Sequence, residues 1–365
     1  MEYDIKSPPP ISYLLPPIFL FLLVLTNCLS IEEARLSSGW EPPQNSQTKT
    51  TPPDDTSLSP SLPPPSPLRI TVLNVGQGDA TLIQAPSGKT LLIDGGRDGK
   101  GREVILPFLK QKGISSLDAI LATHYDGDHI GGIDEVIAGD DGVSGTNDDL
   151  VPKLGTYDRG GTPFDFAPFF PEYLQAAGEK RRSISPGEKI PLDPTVILRC
   201  VAVNGQIWNG PAVDLTPIGF SAVENSASIA LLIEYGTFRY LTAGDLTGGG
   251  SPGGFKTFDV ESPLAEVVGP VDIVHVNHHG SLTSSNEAYV NDLKPLAALF
   301  SVGDGNEYGH PAQEVLERWH NGGAELWMTE KGGGGFIALE QVVNGPIHVE
   351  TDGESLTINE KQIAF

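Results

Sequence analysis

A chain of 365 residues, 39% of them hydrophobic and 19% charged, has ample material for a large buried core. Its formal net charge of −24, from 47 acidic against 23 basic residues, excludes broad electrostatic capture of nucleic acid, because such a surface repels a polyanion unless a local cation overrides it. Two cysteines, Cys28 and Cys200, exclude a disulfide framework.

Residues 1–30 contain a mostly apolar stretch from Ile11 to Leu29, interrupted by Pro16-Pro17 and continued by the unbroken run Ile18–Leu25. The run is short for a spanning helix, which favours a secretory signal over a permanent anchor. Leu25-Thr26-Asn27-Cys28 resembles a lipoprotein box, so membrane attachment through a lipid is the second expectation. Against both stand a leader without basic residues before Lys6 and the lack of an Ala-x-Ala site. The expected location is secreted, periplasmic or membrane-anchored on the outer side. Residues 31–67 turn to Pro, Ser, Thr and Asp, too poor in apolar residues to fold, and are expected to form a disordered linker. At Leu68 the texture changes to Arg69-Ile70-Thr71-Val72, the start of a folded domain spanning 68–365.

Strands are predicted at Ala80–Ile83, Thr90–Ile93, Ala119–Thr123, Ile229–Tyr235, Phe238–Ala243, Val271–Val276 and Leu296–Val302, and helices at Arg102–Lys112, Asp134–Ala138, Ser285–Leu293 and Gln313–Asn321. Leu91-Leu92-Ile93 and Ile120-Leu121-Ala122 are continuous apolar runs, the mark of sheets covered on both faces and thus of a layered α/β domain. Cys200 lies inside the strand-like Val196–Val203 and is expected to be an inert core thiol.

The strand ending at Thr123 delivers His124, Asp126, Asp128 and His129, four potential metal ligands within six residues, onto one turn. Mixed imidazole and carboxylate ligands suit zinc, manganese or iron. The bland alternative is a polar loop, but the spacing after a buried strand favours a metal site. Three further segments have related designs. Leu91-Leu92-Ile93 ends in Asp94-Gly95-Gly96, where Asp94 can lock the metal loops; Leu241-Thr242-Ala243-Gly244 ends in Asp245, placed to bridge two metals; Ile273–Asn277 is followed by His278-His279-Gly280-Ser281. His275, His320 and His348 are expected to be ordinary.

His-x-Asp-x-Asp-His at 124–129, the Asp-Gly-Gly and Gly-Asp strand ends, and His278-His279-Gly280-Ser281 resemble the metallo-β-lactamase superfamily, and within it the competence-protein ComEC branch. Val75-Gly76-Gln77-Gly78-Asp79-Ala80, Asn225-Ser226-Ala227-Ser228 and Tyr308-Gly309-His310-Pro311 extend the resemblance over residues 68–340. It implies a four-layer αββα sandwich with two divalent metal ions, zinc or manganese, at one edge. His124 and Asp126 would hold one metal, Asp128 and His129 the other, Asp245 would bridge, and either His278 or His279, with a slight preference for His279, would complete the second site. Gln77, Asp79, Asn225, Ser281 and His310 would line the cleft or serve as turns and caps. Asp126 stands where zinc hydrolases of this family usually carry a second histidine, and Asn225 or Ser226 where they carry another, so the first site is harder and manganese is a candidate beside zinc.

The resemblance implies an exported hydrolase using a metal-activated water, with Asp128 also able to accept a proton. A phosphodiesterase or nuclease is the first choice, since that branch is thought to include nucleases; its substrate would be a small-molecule or nucleic-acid phosphodiester. The alternatives are a hydrolase of a small ester, lactone or phosphocholine-type substrate at the cell surface and a non-catalytic binding domain. No protein partner is predicted. Lys180-Arg181-Arg182 is expected to be a solvated surface cluster, and Thr247–Gly254 a flexible glycine loop. Asp140, Asp141, Asn147, Asp148 and Asp149 surround glycines in an acidic insertion, expected to be either a calcium loop or a solvated acidic loop.

Overall fold

The short apolar runs form strands with both faces covered. The computed structural model describes residues 66–217, 223–251 and 256–364, so the N-terminal apolar stretch and the linker as far as residue 65 lie outside the described residues. Strands β1 (Leu68–Val72), β2 (Thr81–Gln84), β3 (Thr90–Ile93), β4 (Ala119–Leu121), β5 (Gly155–Asp158) and β6 (Arg181–Ser183) stand side by side in chain order. The pairs from β1 to β3 are antiparallel and those from β3 to β6 parallel. Helices α1 (Leu106–Gln111), α2 (Gly127–Ile130), α3 (Ile133–Ile137) and α4 (Phe170–Ala177) cover the outer face of this sheet.

The chain then builds a second sheet from β7 (Val196–Val203), β8 (Gln206–Ile207), β9 (Ala230–Tyr235), β10 (Phe238–Thr242), β11 (Ile273–His275), β12 (Ala297–Phe300), β13 (Glu325–Met328) and β14 (Gln341–Val342), in the order β14-β13-β12-β11-β10-β9-β7-β8. Strands β10 to β14 are parallel. The short α5 (Val223–Ser226) precedes β9, and α6 (Glu261–Val268), α7 (Glu287–Leu293) and α8 (Gln313–Asn321) cover the outer face. Finally β15 (Ile347–Thr351), β16 (Leu356–Ile358) and β17 (Lys361–Ile363) extend the first sheet beyond β1.

Side-chain alternation explains the layers. Leu91 and Ile93 of β3 meet Leu231 and Ile233 of β9 between the sheets, whereas Leu92 faces the helices of the first sheet and Leu232 those of the second. The result is the expected αββα sandwich. Cys200 is a fully buried free thiol between the sheets, and burial pushes its pKa up to about 12, so it stays inert. No helix among the described residues is long and apolar enough to cross a membrane.

Two expectations need correction. The single helix over 102–112 is a π-helical turn at Gly101–Ile105 followed by α1. Pro107 in the first turn of α1 offers no N–H to the preceding turn, so the regular ladder restarts there. Nor is Lys180-Arg181-Arg182 uniformly solvated: Arg181 is half-buried, its Nε pairs with Asp158, and its Nη2 donates to the Tyr125 hydroxyl at 2.9 Å.

Candidate metal centre

Both sheets present the carboxyl ends of parallel strands at one edge, the usual place for a site in an α/β fold. Asp94 follows β3, the His124–His129 turn follows β4, Asp245 follows β10, and His278 and His279 follow β11. Gly244, at φ 52°, lets the Asp245 loop press against the first sheet: a Cβ there would lie 2.5 Å from Thr123 Oγ1.

Asp94 fixes the first loop. Its Oδ1 accepts from the Thr123 backbone N–H and its Oδ2 from the Thr123 hydroxyl, each at 2.8 Å, and Oδ2 also lies 2.8 Å from His129 Nδ1. Since the Thr123 hydroxyl donates to Asp94, it accepts from His124 Nδ1 at 3.1 Å; His279 Nδ1 donates to the Ser301 carbonyl at 2.9 Å. The neutral form of each of the three imidazoles thereby carries its proton on Nδ1 and presents its lone pair on Nε2. The Nε2 atoms of His124, His129 and His279, with Asp245 Oδ1, are buried and have no hydrogen-bond partner. Converging buried lone pairs without donors are costly in an apo core and suit a bound cation.

Asp245, 2% exposed, divides the cluster. Its Oδ1 is 3.2 Å from His129 Nε2 and 3.8 Å from His279 Nε2; its Oδ2 is 3.8 Å from His124 Nε2 and 3.5 Å from His278 Nε2. Asp126 Oδ2 lies 3.6 Å from His124 Nε2, and Asp128 Oδ2 3.6 Å from His279 Nε2. Ligand atoms of His124, His129 and Asp245 lie within 4.8 Å of one another, as do those of Asp128, His129 and His279. His129 therefore reaches both groups. Of the histidine pair, His279 sits with Asp128, while His278 turns toward Asp245 Oδ2 and the Asn225 amide, 3.3 Å from its Nε2.

His278 and His279 both adopt left-handed backbone conformations, φ 50° and 52°, as does Asp94 at 58°. Each costs a non-glycine residue about 1–3 kcal/mol, a strain typical of functional sites. Here it aims successive imidazoles at opposite oxygens of one carboxylate. Glu261, which the sequence reading missed, ties both ends of this loop. It is fully buried and accepts from Asn277 Nδ2 at 2.7 Å, Ser285 N at 2.7 Å and Asn286 N at 2.9 Å.

The electrostatics follow from this packing. Burial disfavours the Asp245 anion, but His129, His278 and His279 outweigh it and hold the carboxyl well below its usual range. For His129 and His279 burial likewise opposes charge, and Asp245 with Asp94 or Asp79 prevails, raising both. Burial, reinforced by His278 and His279, brings His310 down to about 3, so it is neutral at physiological pH.

The remaining candidates are dispersed around the centre. Asp79 lies beneath His279, its Oδ1 3.5 Å from His279 Nδ1 and 3.6 Å from His275 Nε2; burial opposes its ionisation, yet those imidazoles bring its pKa down to about 2. His275 is thus part of the support under the site and not an ordinary strand residue. Its place at the end of a parallel strand was the available signal. Asn225 Nδ2 also donates to Asp245 Oδ2 at 3.3 Å, Gln77 Nε2 lies 3.5 Å from His310 Nδ1, and Ser281 Oγ accepts from the Thr283 hydroxyl at 3.0 Å.

The acidic insertion lies apart from this edge. Asp141, Asp148 and Asp149 accept backbone N–H groups of the loop itself, and Asp140 pairs with Lys110. Among the described residues, the groups of three or more His, Cys, Asp or Glu side chains able to hold a metal do not include these acids. The glycine run Thr247–Gly254 is described only as far as Gly250 and Ser251; Gly248 bridges to Asp259 there.

Asp94→Asn replaces the oxygen facing His129 Nδ1 or Thr123 with an amide that cannot accept all three contacts. Metal affinity is expected to fall about 10–100-fold with the fold retained. Isothermal titration of the EDTA-stripped protein with Mn²⁺ measures it, and unchanged affinity would refute the assigned locking role.

The comparisons with known proteins agree with this architecture. The model of the metallo-β-lactamase superfamily matches residues 73–303, well over half of the chain. "ComE operon protein 3" of Bacillus subtilis is 28% identical over 72% of this chain and 32% of its own length. "Recombination protein 2" of Haemophilus influenzae is 27% identical over 69% and 26%, and "Competence protein ComA" of Neisseria gonorrhoeae 26% identical over 76% and 33%. The chain thus spans about a third or less of the length of these relatives. Among solved structures, a diphosphatase of the PhnP family is 15% identical, covering 78% of this chain and 98% of its own, with a TM-score of 0.41. These relatives, named for competence and recombination, are in line with the ComEC-like branch, and the matched model, the αββα layers and the His/Asp cluster at the sheet edge place the chain in the metallo-β-lactamase superfamily.

Proposed function

We propose that the protein is a two-metal phosphodiesterase acting on nucleic acid or a small phosphodiester. The observation that carries this reading is the division of the buried cluster by Asp245, whose Oδ1 faces the unpartnered Nε2 atoms of His129 and His279 and whose Oδ2 faces the unpartnered Nε2 of His124 and the Asn225-bonded Nε2 of His278. His124, Asp126 and Asp245 would hold one ion, and Asp128, His129, His279 and Asp245 the other. Paired divalent ions supply an activated water and stabilise charge on a phosphoryl oxygen.

The chain's own residues supply the rest. Nδ1 hydrogen bonds hold the imidazole lone pairs in place, so little reorganisation is needed on binding. Asp128 is about a quarter exposed, with one oxygen toward His279, and its other oxygen is free to take a proton from the cleft. His310, neutral, lies at the rim. Relatives named for competence and recombination support a DNA substrate, and the apolar stretch at Ile11–Leu29 supports an extracytoplasmic location, with attachment to the membrane through the N-terminus.

The test is hydrolysis of bis(p-nitrophenyl) phosphate, single-stranded DNA and a lactone panel by EDTA-stripped protein, before and after adding Mn²⁺ or Zn²⁺. Phosphodiester cleavage that vanishes with EDTA and returns with metal is expected. Turnover confined to lactones or esters would overturn the phosphodiesterase reading.

A further inference from the structure

Beside the metal centre lies an open cleft of about 400 Å³, lined by Arg97, Asp98, Gly127, Asp128, Phe169 and Tyr308. One wall is therefore the exposed side of the proposed metal ligand Asp128. Arg97 directly follows Asp94-Gly95-Gly96, and its backbone is set firmly against α2: a Cβ on Gly131 would lie 2.4 Å from Asp98 N. The guanidinium is steered by Tyr308, with Nη2 donating to the Tyr308 hydroxyl at 3.4 Å and Cζ 5.6 Å from the ring centroid. Tyr308 is 58% exposed.

Arg97 differs from most of its kind in this acidic chain. Arg69, Arg102, Arg159, Arg181 and Arg239 each pair with a carboxylate, whereas Arg97 has no ion pair among the described residues and is held by a neutral hydroxyl. Asp98 does not serve as its counter-ion; its charge adds to burial in raising Asp134 and Glu135. A positive charge is thus left facing the cleft that opens on Asp128, in a protein whose net charge of −24 gives little other reason for an anion to approach. Two aromatic side chains, Tyr308 and Phe169, share the same walls.

We infer that Arg97 and Tyr308 form a subsite for the nucleotide adjoining the scissile phosphodiester, with the guanidinium on its phosphate and the aromatic wall on its base. A cation beside aromatic surfaces is the arrangement that binds single-stranded nucleic acid without reading sequence, since every base has a π-face. The quaternary ammonium of a phosphocholine headgroup would meet Arg97 as a like charge, whereas its phosphate would not. This inference rests on the phosphodiester reading above for the identity of the ligand, but its test is independent of turnover.

The test is fluorescence anisotropy of a labelled, short phosphorothioate oligothymidylate with the Mn²⁺-loaded full chain, across a series of salt concentrations. Arg97→Ala is expected to weaken binding about tenfold and to lower the slope of log affinity against log salt by about 0.7, the loss of one phosphate contact on a single strand. Arg97→Lys restores the slope. Tyr308→Ala weakens binding roughly 5- to 100-fold with the slope unchanged. All three variants retain the metal content of the parent. Binding of the oligonucleotide by Arg97→Ala and Tyr308→Ala as tightly as by the parent overturns the subsite, as does absence of binding by the parent or loss of metal in the variants. Cleavage by the parent is scored separately: binding without phosphodiester cleavage sinks the phosphodiesterase reading and leaves the subsite standing, while cleavage with unaffected variant binding does the reverse.

Discussion

Asp245→Ala is expected to lower phosphodiester hydrolysis by about 10³-fold or more, equivalent to about 4 kcal/mol of transition-state stabilisation, and to leave at most one of two metal ions bound. Every other proposed carboxylate ligand serves one side of the cluster; Asp245 alone has an oxygen toward each, Oδ1 3.2 Å from His129 Nε2 on one side and Oδ2 3.8 Å from His124 Nε2 on the other. Alanine removes both oxygens and leaves four imidazoles facing a small apolar side chain. Asp245→Asn preserves volume but carries no charge and replaces one oxygen with a donor, so it should behave nearly as badly. Metal content by inductively coupled plasma spectrometry, read with circular dichroism to confirm folding, separates loss of the centre from loss of the fold. A folded Asp245→Ala protein that keeps two ions and near-parental turnover would remove the bridging role and, with it, the two-metal proposal.

The local part of this centre was readable from residue order, and the part built by long-range contacts was not. His124 to His129 announce themselves because four ligand types crowd one turn after a buried strand, and β3 and α8 were placed at their observed bounds because apolar runs or periodicity end cleanly at polar neighbours. In contrast β5, Gly155-Thr156-Tyr157-Asp158, is buried throughout yet contains no aliphatic residue; its burial comes from the strands beside it and the helices over it. β15 did carry a strand signal, alternating buried and more exposed positions over Ile347-His348-Val349-Glu350-Thr351, but its pairing with β1 joins the two ends of the domain. The supports of the site share this property. Glu261 acts through Asn277 and Ser285, His275 through Asp79, and Arg181 through Tyr125, none of them adjacent in sequence. A charged residue in a list of residues looks solvated until its partner is known, which is why Arg181 was assigned to the surface.

The same logic gives the largest expected effect on stability, at a pair that touches no proposed ligand atom. Arg159 and Glu224 are 4% and 1% exposed and form a bidentate ion pair, Nε to Oε1 at 2.8 Å and Nη2 to Oε2 at 2.6 Å. Glu224 also accepts the backbone N–H of Tyr125 at 2.9 Å and of Phe164 at 2.8 Å, and Arg159 stacks over the Tyr125 ring with Cζ 4.2 Å from its centroid. Tyr125 lies between His124 and Asp126, so this pair holds the metal turn from behind. Glu224→Ala strands a guanidinium in the interior and leaves two N–H groups unsatisfied, and breaking a buried pair from one side costs about 3–5 kcal/mol. Removing both charges with similar volume, as in Arg159→Met with Glu224→Leu, should recover much of that loss, because the cost lies in the unpaired charge more than in the pair's net attraction. Metal affinity should not recover with it, since leucine cannot accept from Tyr125 N. Urea unfolding and Mn²⁺ titration of the two proteins therefore give opposite answers if Glu224 positions the metal turn. If affinity and stability rise together in the double variant, Glu224 contributes to the fold alone.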